Sequence, residues 1–320
     1  MSREQVLVVS CIMPGIGGQD SGNQGFLTAR AMRRHLGWDA KCLVFQRNYL
    51  GYDYDWVYLE NVTRDIVMDY ARDCSFFVFM DCVATDPAVR FNDFLTRDNH
   101  CVLGVGSGLR RSVDYTLMNQ IKRNVRVIVP PQDESLCTHL CGVPFDFVII
   151  DIDKIDAIKE DKNNEFTVCH AHTSPSTKGG DVIQSVLADH PEIKSDEIHS
   201  LPWPEAIKRK SRAHVIIDSL TMPTYGLNTL ESGVLRQHCI TNIGPWCYMI
   251  HPDFPFMSVN PLVTGKSVRD GVESSLLDLY NNLDSYDHVL DEADRWVRSH
   301  HHSSVVAEKW KWYVKWSLNR

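Results

Sequence analysis

Short apolar runs alternate with longer amphipathic ones along most of the chain, and this rhythm limits the fold more than any single motif does. In the first half the strand candidates are Val6 to Ile12, Lys41 to Phe45, Phe76 to Met80, Cys101 to Val105, Val125 to Val129 and Phe145 to Ile150. Helical patterns lie between several of them. Residues 22–36 carry Phe26, Ala29, Met32 and Leu36 on one side, with Ser21 as an N-cap and Gly37 just past the C-terminus. Alternation of this kind predicts an α/β fold, a parallel sheet covered by helices.

The rhythm breaks once. "DIDKIDAIKEDKNNE", Asp151 to Glu165, is polar and charged and reads as a linker. The alternation then restarts with strand "FTVCHA", a helix from Lys178 to Ala188, a strand near Ile198 and a helix near Glu205 to Lys210. Strand "HVIIDSL", helix Asn228 to Gln237 and strand "CITNIG" follow. Two domains are expected, 1–150 and 151–320, a division that suits 320 residues. The tail from Ser303 to Arg320 puts Val306, Trp310, Tyr313 and Val314 on one helical face, which predicts a helix docked on the body of the protein. A helix lying on a membrane surface is the minor alternative.

Composition removes several classes. No apolar run approaches the roughly 20 residues of a membrane helix, so no transmembrane segment is expected. "MSREQ" is polar and runs into a strand, unlike a signal peptide. Of ten cysteines, Cys42, Cys74, Cys101, Cys169 and Cys239 lie in or beside apolar segments, where a thiol acts as a small hydrophobe. A reducing, cytoplasmic location is expected. "CTHLC", Cys137 to Cys141 around His139, lacks a second ligand pair at finger spacing, and no metal site is expected. The net charge of −8 disfavours a protein that coats nucleic acid. Lys208 to Arg212 and the segment Arg110 to Arg126 are small basic clusters that read as solvated helix faces.

The loop "PGIGGQDSGNQG", Pro14 to Gly25, joins the first strand to the first helix. A dinucleotide fingerprint needs G-x-G-x-x-G there. Gly15 and Gly17 supply the first two glycines, but Asp20 stands in place of the third. The second strand closes on Gln46 and Arg47 rather than on an acid. Gly17, Gly18, Ser21 and Gly22 can still bring backbone N–H groups to a ligand at a helix start.

The second half carries a sharper pattern. "HAHTSPSTKGGD", His170 to Asp181, follows a strand and enters a helix, and "DSLTMPTYGLNTLESGVLRQHCITNIG" runs from Asp218 to Gly244. Together these stretches resemble the C-terminal domain of retaining GT-B glycosyltransferases, family 4 of that class. The resemblance covers residues 166–245 and extends loosely to "HHSSVVAEKWKWY". It implies two Rossmann-like domains facing across a cleft. Residues 1–150 would form the acceptor side and 151–320 the nucleotide-sugar side, with the closing helix packing back on the first domain.

By that resemblance, Lys178 stabilises the nucleoside diphosphate leaving group together with the N–H groups at Gly179 and Gly180. Glu231, placed in the first turn of the next helix, receives the ribose hydroxyls. Tyr225, Gly226, Leu227 and Asn228 form the turn before it, and Asp218 and His170 end strands at the ligand edge of the sheet. Trp203 flanks the base, and Arg110, in "GSGLR" beside Ser107, contacts phosphate or acceptor. Three positions depart from the family pattern: Pro223 stands where its first glutamate belongs, Val105 where its histidine belongs, and Gly108 where its aspartate belongs.

The implied activity is transfer of a hexosyl or pentosyl unit from a UDP- or GDP-linked sugar to a hydroxyl, with retention and without metal or resident cofactor. The acceptor would be a glycan or lipid precursor, or a hydroxymethylated DNA base. An epimerase-like GT-B enzyme and a non-catalytic nucleotide-sugar binder are the alternatives.

Overall fold

The structure, a computed structural model, describes residues 4–10, 23–47, 49–80, 89–104, 126–129, 143–144, 146–172 and 175–319. The chain divides into two compact units, Met1–Ile149 with His301–Arg320, and Ile150–His300. The closing helix, numbered with the second domain by chain order, is thus counted with the first.

The first unit is built on a seven-stranded sheet in the order β3-β2-β1-β4-β5-β6-β7. Its strands are β1 (Gln5–Ser10), β2 (Asp39–Val44), β3 (Trp56–Val57), β4 (Phe76–Met80), β5 (His100–Leu103), β6 (Arg126–Val129) and β7 (Val143–Pro144). Every neighbouring pair is parallel. Central parallel strands are covered on both faces, so they read as near-continuous apolar runs, residues 6–9 in β1 and all of β4. In β1, Val6 and Val8 enter one core while Leu7 and Val9 enter the other. In β4, Phe76 and Val78 divide from Phe77 and Phe79 in the same way, the period of two setting the face.

Helix α1 (Gln24–Ala31) supplies the first core, with a π-helical turn over Met32–Leu36 that ends on left-handed Gly37. Ala29 and Met32 are buried, and Phe26 and Leu36 pack at the core margin. Asn23, not Ser21, precedes this helix as its cap residue; Ser21 itself lies outside the described residues. Helix α2 (Arg64–Arg72) supplies the second core through Val67 and Ala71.

The expected strand at Phe145 to Ile150 is a correction. Strand β7 ends at Pro144, and residues 146–150 form no ladder. The Gln24 side chain takes the place of a neighbouring strand: its Nε2 donates to the Ile149 carbonyl at 2.9 Å and its Oε1 accepts from the Ile149 N–H at 2.8 Å. The apolar residues Phe147 and Ile149 are nonetheless core.

The second unit holds a five-stranded parallel sheet in the order β12-β11-β10-β8-β9. These are β8 (Thr167–Ala171), β9 (Lys194–Ile198), β10 (Val215–Ile217), β11 (His238–Thr241) and β12 (Met257–Ser258). The expected linker is a second correction, because Ile152–Ile158 is helix α3. Ile152 and Ile155, one turn apart, are buried while Asp153 and Asp156 beside them are exposed, so a short helix with one apolar stripe reads as polar in composition. Helices α4 (Gly180–Asp189), α5 (Trp203–Ser211), α6 (Leu227–Val234), α7 (Pro245–Ile250), α8 (Val268–Asn282) and α9 (Asp287–His301) follow. The last helix, α10 (Ser303–Leu318), belongs to the first unit.

Among the described residues, no helix is long and apolar enough to cross a membrane.

Candidate functional site

Open parallel sheets collect ligands outside the carboxyl ends of their strands, at the point where strand order reverses. In the second unit the chain leaves β8 for β9 on one side and continues to β10 on the other, so the reversal lies between β8 and β10. His170 is the penultimate residue of β8, and Asp218 directly follows β10. The segments leading into α4 and α6 carry the remaining candidate side chains.

Asp218 is the hub. Its side chain is fully buried, and its Oδ1 accepts from Lys178 Nζ at 2.6 Å. The other oxygen, Oδ2, accepts from the N–H groups of Gly226 and Thr229, each at 3.2 Å, and from Thr229 Oγ1 at 2.7 Å. A carboxylate from the end of β10 therefore caps the start of α6, satisfying helix N–H groups that have no partner within the helix. Burial alone would push its carboxyl up. The charge of Lys178 and the bonds from Lys178 and Thr229 outweigh burial and hold it at about 2.

Gly226 is required at this approach. A Cβ there would stand 2.9 Å from Asp218 Oδ2 and 3.4 Å from Lys178 Nζ. Gly179 precedes α4 with φ 79°, a left-handed conformation that a side chain disfavours, and a Cβ there would meet Leu220 Cβ at 2.8 Å. Lys178 is held on both backbone sides: its N–H donates to the Pro175 carbonyl and its carbonyl accepts from the Leu220 N–H. Its side chain is half-buried, and Asp218 takes one of three ammonium donors.

A chain of hydrogen bonds runs from this pair to Glu231. Asn228 Nδ2 donates to Asp218 Oδ1 at 3.3 Å and to the Ala171 carbonyl at 2.7 Å. Lys210 Nζ donates to Asn228 Oδ1 at 2.6 Å and also bonds Glu231 Oε2. Trp203 Nε1 donates to Glu231 Oε1 at 2.8 Å. Six residues that sequence reading placed near one ligand, Lys178, Asp218, Gly226, Asn228, Glu231 and Trp203, are thus joined in one network.

Two expectations change. Glu231 lies in the second turn of α6, not the first, because the helix begins at Leu227. Lys210 is not part of a solvated face: it is buried and paired with buried Glu231. It follows Ile207 by three residues on the same stripe of α5, so its position could have been found by extending the apolar face. Thr229 was also missed; it stands three places after the turn glycine Gly226, where its N–H and hydroxyl both reach Asp218 Oδ2.

The other candidates fall as follows. Gly180 opens α4, where a Cβ would meet Pro175 Cβ at 2.9 Å. Leu227 opens α6 and is half-buried. Tyr225 is buried, its ring stacked on Phe254 at 5.2 Å and edge-on to Trp296 at 5.9 Å, so its side chain anchors the turn. His170 is buried; desolvation, then the neighbouring His172, push it down to about 4, and its ring is neutral at pH 7. Pro223 is exposed, and its carbonyl accepts from the Gly244 N–H at 3.2 Å. Arg110, Ser107, Val105, Gly108, Gly17, Gly18, Ser21, Gly22 and the "CTHLC" stretch lie outside the described residues.

No family model matches the sequence, and no curated protein does. Solved structures do match. HepE from Anabaena in complex with UDP and glucose superposes with a TM-score of 0.66 at 11% identity, over 98% of this chain and 100% of that one. Sucrose-phosphate synthase from Thermosynechococcus elongatus gives 0.64 at 11% identity, over 98% and 99%. A UDP-N-acetylglucosamine 2-epimerase gives 0.54 at 9% identity, over 100% and 98%. At such identities the likeness speaks for the fold, which is GT-B with two Rossmann-like domains.

Proposed function

We propose that this chain is a glycosyltransferase that moves a sugar from a nucleotide-sugar donor to a hydroxyl acceptor with retention. The observation that carries the reading is Lys178: a half-buried ammonium held at the strand-order reversal by a buried carboxylate that also organises the next helix start. Charge builds on the diphosphate as the glycosidic bond breaks. A fixed cation and aligned N–H groups beside it favour that state over the ground state. Asp218 acts as a positioning residue, holding the Lys178 side chain in place.

Glu231 retains free lone pairs after bonding Trp203 and Lys210, since a carboxylate offers about four acceptor sites. Those sites suit a ribose diol, with Trp203 beside the base. The turn Tyr225 to Asn228 and the N–H groups at Gly179 and Gly180 face the phosphates and sugar, and His170 contacts the donor. Arg110 and the loop residues Gly17, Gly18, Ser21 and Gly22, which lie outside the described residues, remain candidates by resemblance. In a retaining front-face reaction the departing phosphate oxygen takes the acceptor proton, so no protein nucleophile is needed. The transfer step draws on Lys178 and backbone amides rather than on a metal held by an Asp-x-Asp pair, and needs no resident cofactor. The likeness to HepE, solved with UDP and glucose, supports a UDP-linked hexose before a GDP-linked one or a pentose. A glycan or lipid precursor in the cytoplasm is the acceptor class that fits an acidic chain better than DNA.

Calorimetric titration of UDP and GDP into the wild type, Lys178→Ala, Glu231→Ala and Glu231→Gln tests the site, with melting curves to verify folding. Both alanine variants should weaken nucleotide binding by about tenfold or more, the loss of one charged hydrogen bond. Unchanged affinity in both refutes the assignment. Pro223 at the position of the family's first glutamate, together with the likeness to an epimerase, keeps a second reading in view. Donor turnover that needs no acceptor would favour it, and tight binding without any turnover would mark a binder.

A further inference from the structure

Two pairs of metal-ligand residue types stand side by side at the ends of β8 and β9. His170 and His172 are two apart in the chain, as are Glu197 and His199, so each pair falls on one face of the sheet. The parallel register sets His170 opposite Glu197, and the His172 N–H continues the ladder to the Ile198 carbonyl at 3.0 Å. Ile198 and Ala171, the residues between, turn to the opposite face and its core. The two histidine rings lie 4.6 Å apart, and the His199 ring stacks parallel to His172 at 6.0 Å.

One donor atom from each of His170, His172 and Glu197 lies within 4.8 Å of the other two. His172 Nε2 donates to Glu197 Oε1 at 2.7 Å. The opposite ring atom, His172 Nδ1, and His170 Nε2 are both buried and, among the described residues, have no hydrogen-bond partner. His170 as a whole is only 6% exposed. Burying such a nitrogen unpaired is unfavourable, so two adjacent ones call for a ligand at the histidine pair. Neither nitrogen has a role in the network around Asp218.

We propose that His170, His172 and Glu197 bind a divalent transition-metal cation of the Zn²⁺ class. Two imidazoles and one carboxylate form a donor set that suits Zn²⁺ over Mg²⁺ or Ca²⁺. Ligand atoms around tetrahedral zinc stand about 3.4 Å apart, given metal–ligand bonds of about 2.1 Å. The site therefore has to contract by up to about 1.4 Å from the 4.8 Å within which the donors lie, and the Glu197 side chain, 47% exposed, can swing to do so. The fourth position stays open to water, with His199 next to it. Among the described residues strand β9 is the edge of its sheet and pairs with β8 alone, so the cation would tie its end to the body of the unit. This site shares His170 with the donor contact proposed above, is argued without Lys178, Asp218 or Glu231, and departs from the expectation that the chain holds no metal.

The test uses chelator-treated, dialysed full-length protein, with Zn²⁺ titrated in competition with a chromophoric chelator and Co²⁺ absorption as a second probe. The wild type should bind one equivalent, show visible cobalt bands and melt at a higher temperature with metal than without. His172→Ala should abolish these effects, and Glu197→Gln should weaken binding by at least about tenfold. Glu197→Gln alters an exposed carboxylate, so it keeps the test valid should His172→Ala fail to fold. Equal zinc affinity in the wild type and Glu197→Gln would overturn the proposal, as would a wild type that binds no equivalent at micromolar metal. Neither variant alters Lys178 or Glu231, so a zinc result and a UDP result can fail independently.

Discussion

Asp218 shows how one side chain sets both stability and chemistry. Its carboxyl has an ordinary value of 3.8 and stands at about 2 in the fold. Because the folded value is the lower one, the charged form favours folding. That contribution is complete above about pH 4 and is lost as the pH falls through about 2. The shift corresponds to about 2 kcal/mol. Urea denaturation between about pH 5 and pH 2 should therefore cost the wild type about 2 kcal/mol more than Asp218→Asn, which has no such group to protonate. Parallel pH profiles would show that the carboxylate is not what Lys178 and α6 depend on. Asp218 could be named from sequence because an acid after an apolar strand is visible. Its partner Thr229 was missed because a hydroxyl that donates to a carboxylate on another element leaves no mark in the local pattern, and Lys210, joined to Asp218 through Asn228, was missed because it was read with a charged run and not as an extension of the apolar face of α5.

At the scale of elements, helix α6 is both a carrier of site residues and a packing surface. Its Gly233 faces α9 so closely that a Cβ would stand 2.7 Å from Val297 Cγ2 and 3.0 Å from the Ala293 carbonyl. Alanine gains about 1 kcal/mol over glycine in a helix interior, whereas overpacking costs about 1–3 kcal/mol. The contact includes a backbone oxygen that has no rotamer to escape into, so overpacking wins. Gly233→Ala should lower the denaturant midpoint and, by shifting α6, weaken nucleotide binding as well; a stabilised protein would contradict the packing argument. Long elements with a strong period were legible: β4 and α10 lie where the sequence places them. The two-residue strands β3 and β12 are too short to show any period, and the stretch 146–150 looks like a strand because a buried segment needs apolar side chains whichever group pairs its backbone.

For the whole molecule, the chain passes from one unit to the other and returns. Helix α10 comes last yet fills the first unit's core, with Val306, Trp310, Tyr313 and Val314 fully buried. Trp310 stacks on Phe147 at 4.0 Å. Removing that indole leaves a large cavity, so Trp310→Ala should cost about 3–5 kcal/mol. Hydrogen exchange locates the loss: amides of β1, β2 and β4 should exchange faster while those of β8, β10 and β11 keep their protection, since the cores of the two sheets share no residue. Uniform acceleration in both sheets would mean that the units unfold as one.

Local pattern alone determined the class of this protein: apolar runs of strand length between amphipathic helices, twice over, admit little besides two parallel α/β sheets. Residues next to strand ends, Lys178, Asp218 and His170 among them, were legible as site candidates because such sheets present ligands at that edge. Tertiary structure alone decided which of them meet. It joined Glu231 to Lys210 and Trp203 rather than leaving it open, and set Gln24 as the partner of Ile149 across 125 residues. It also brought Glu197 against His172 through the register of β8 and β9. The physical reason is that periodicity records which side of an element is buried, whereas hydrogen bonds and charge pairs depend on register and distance between elements that the period does not encode.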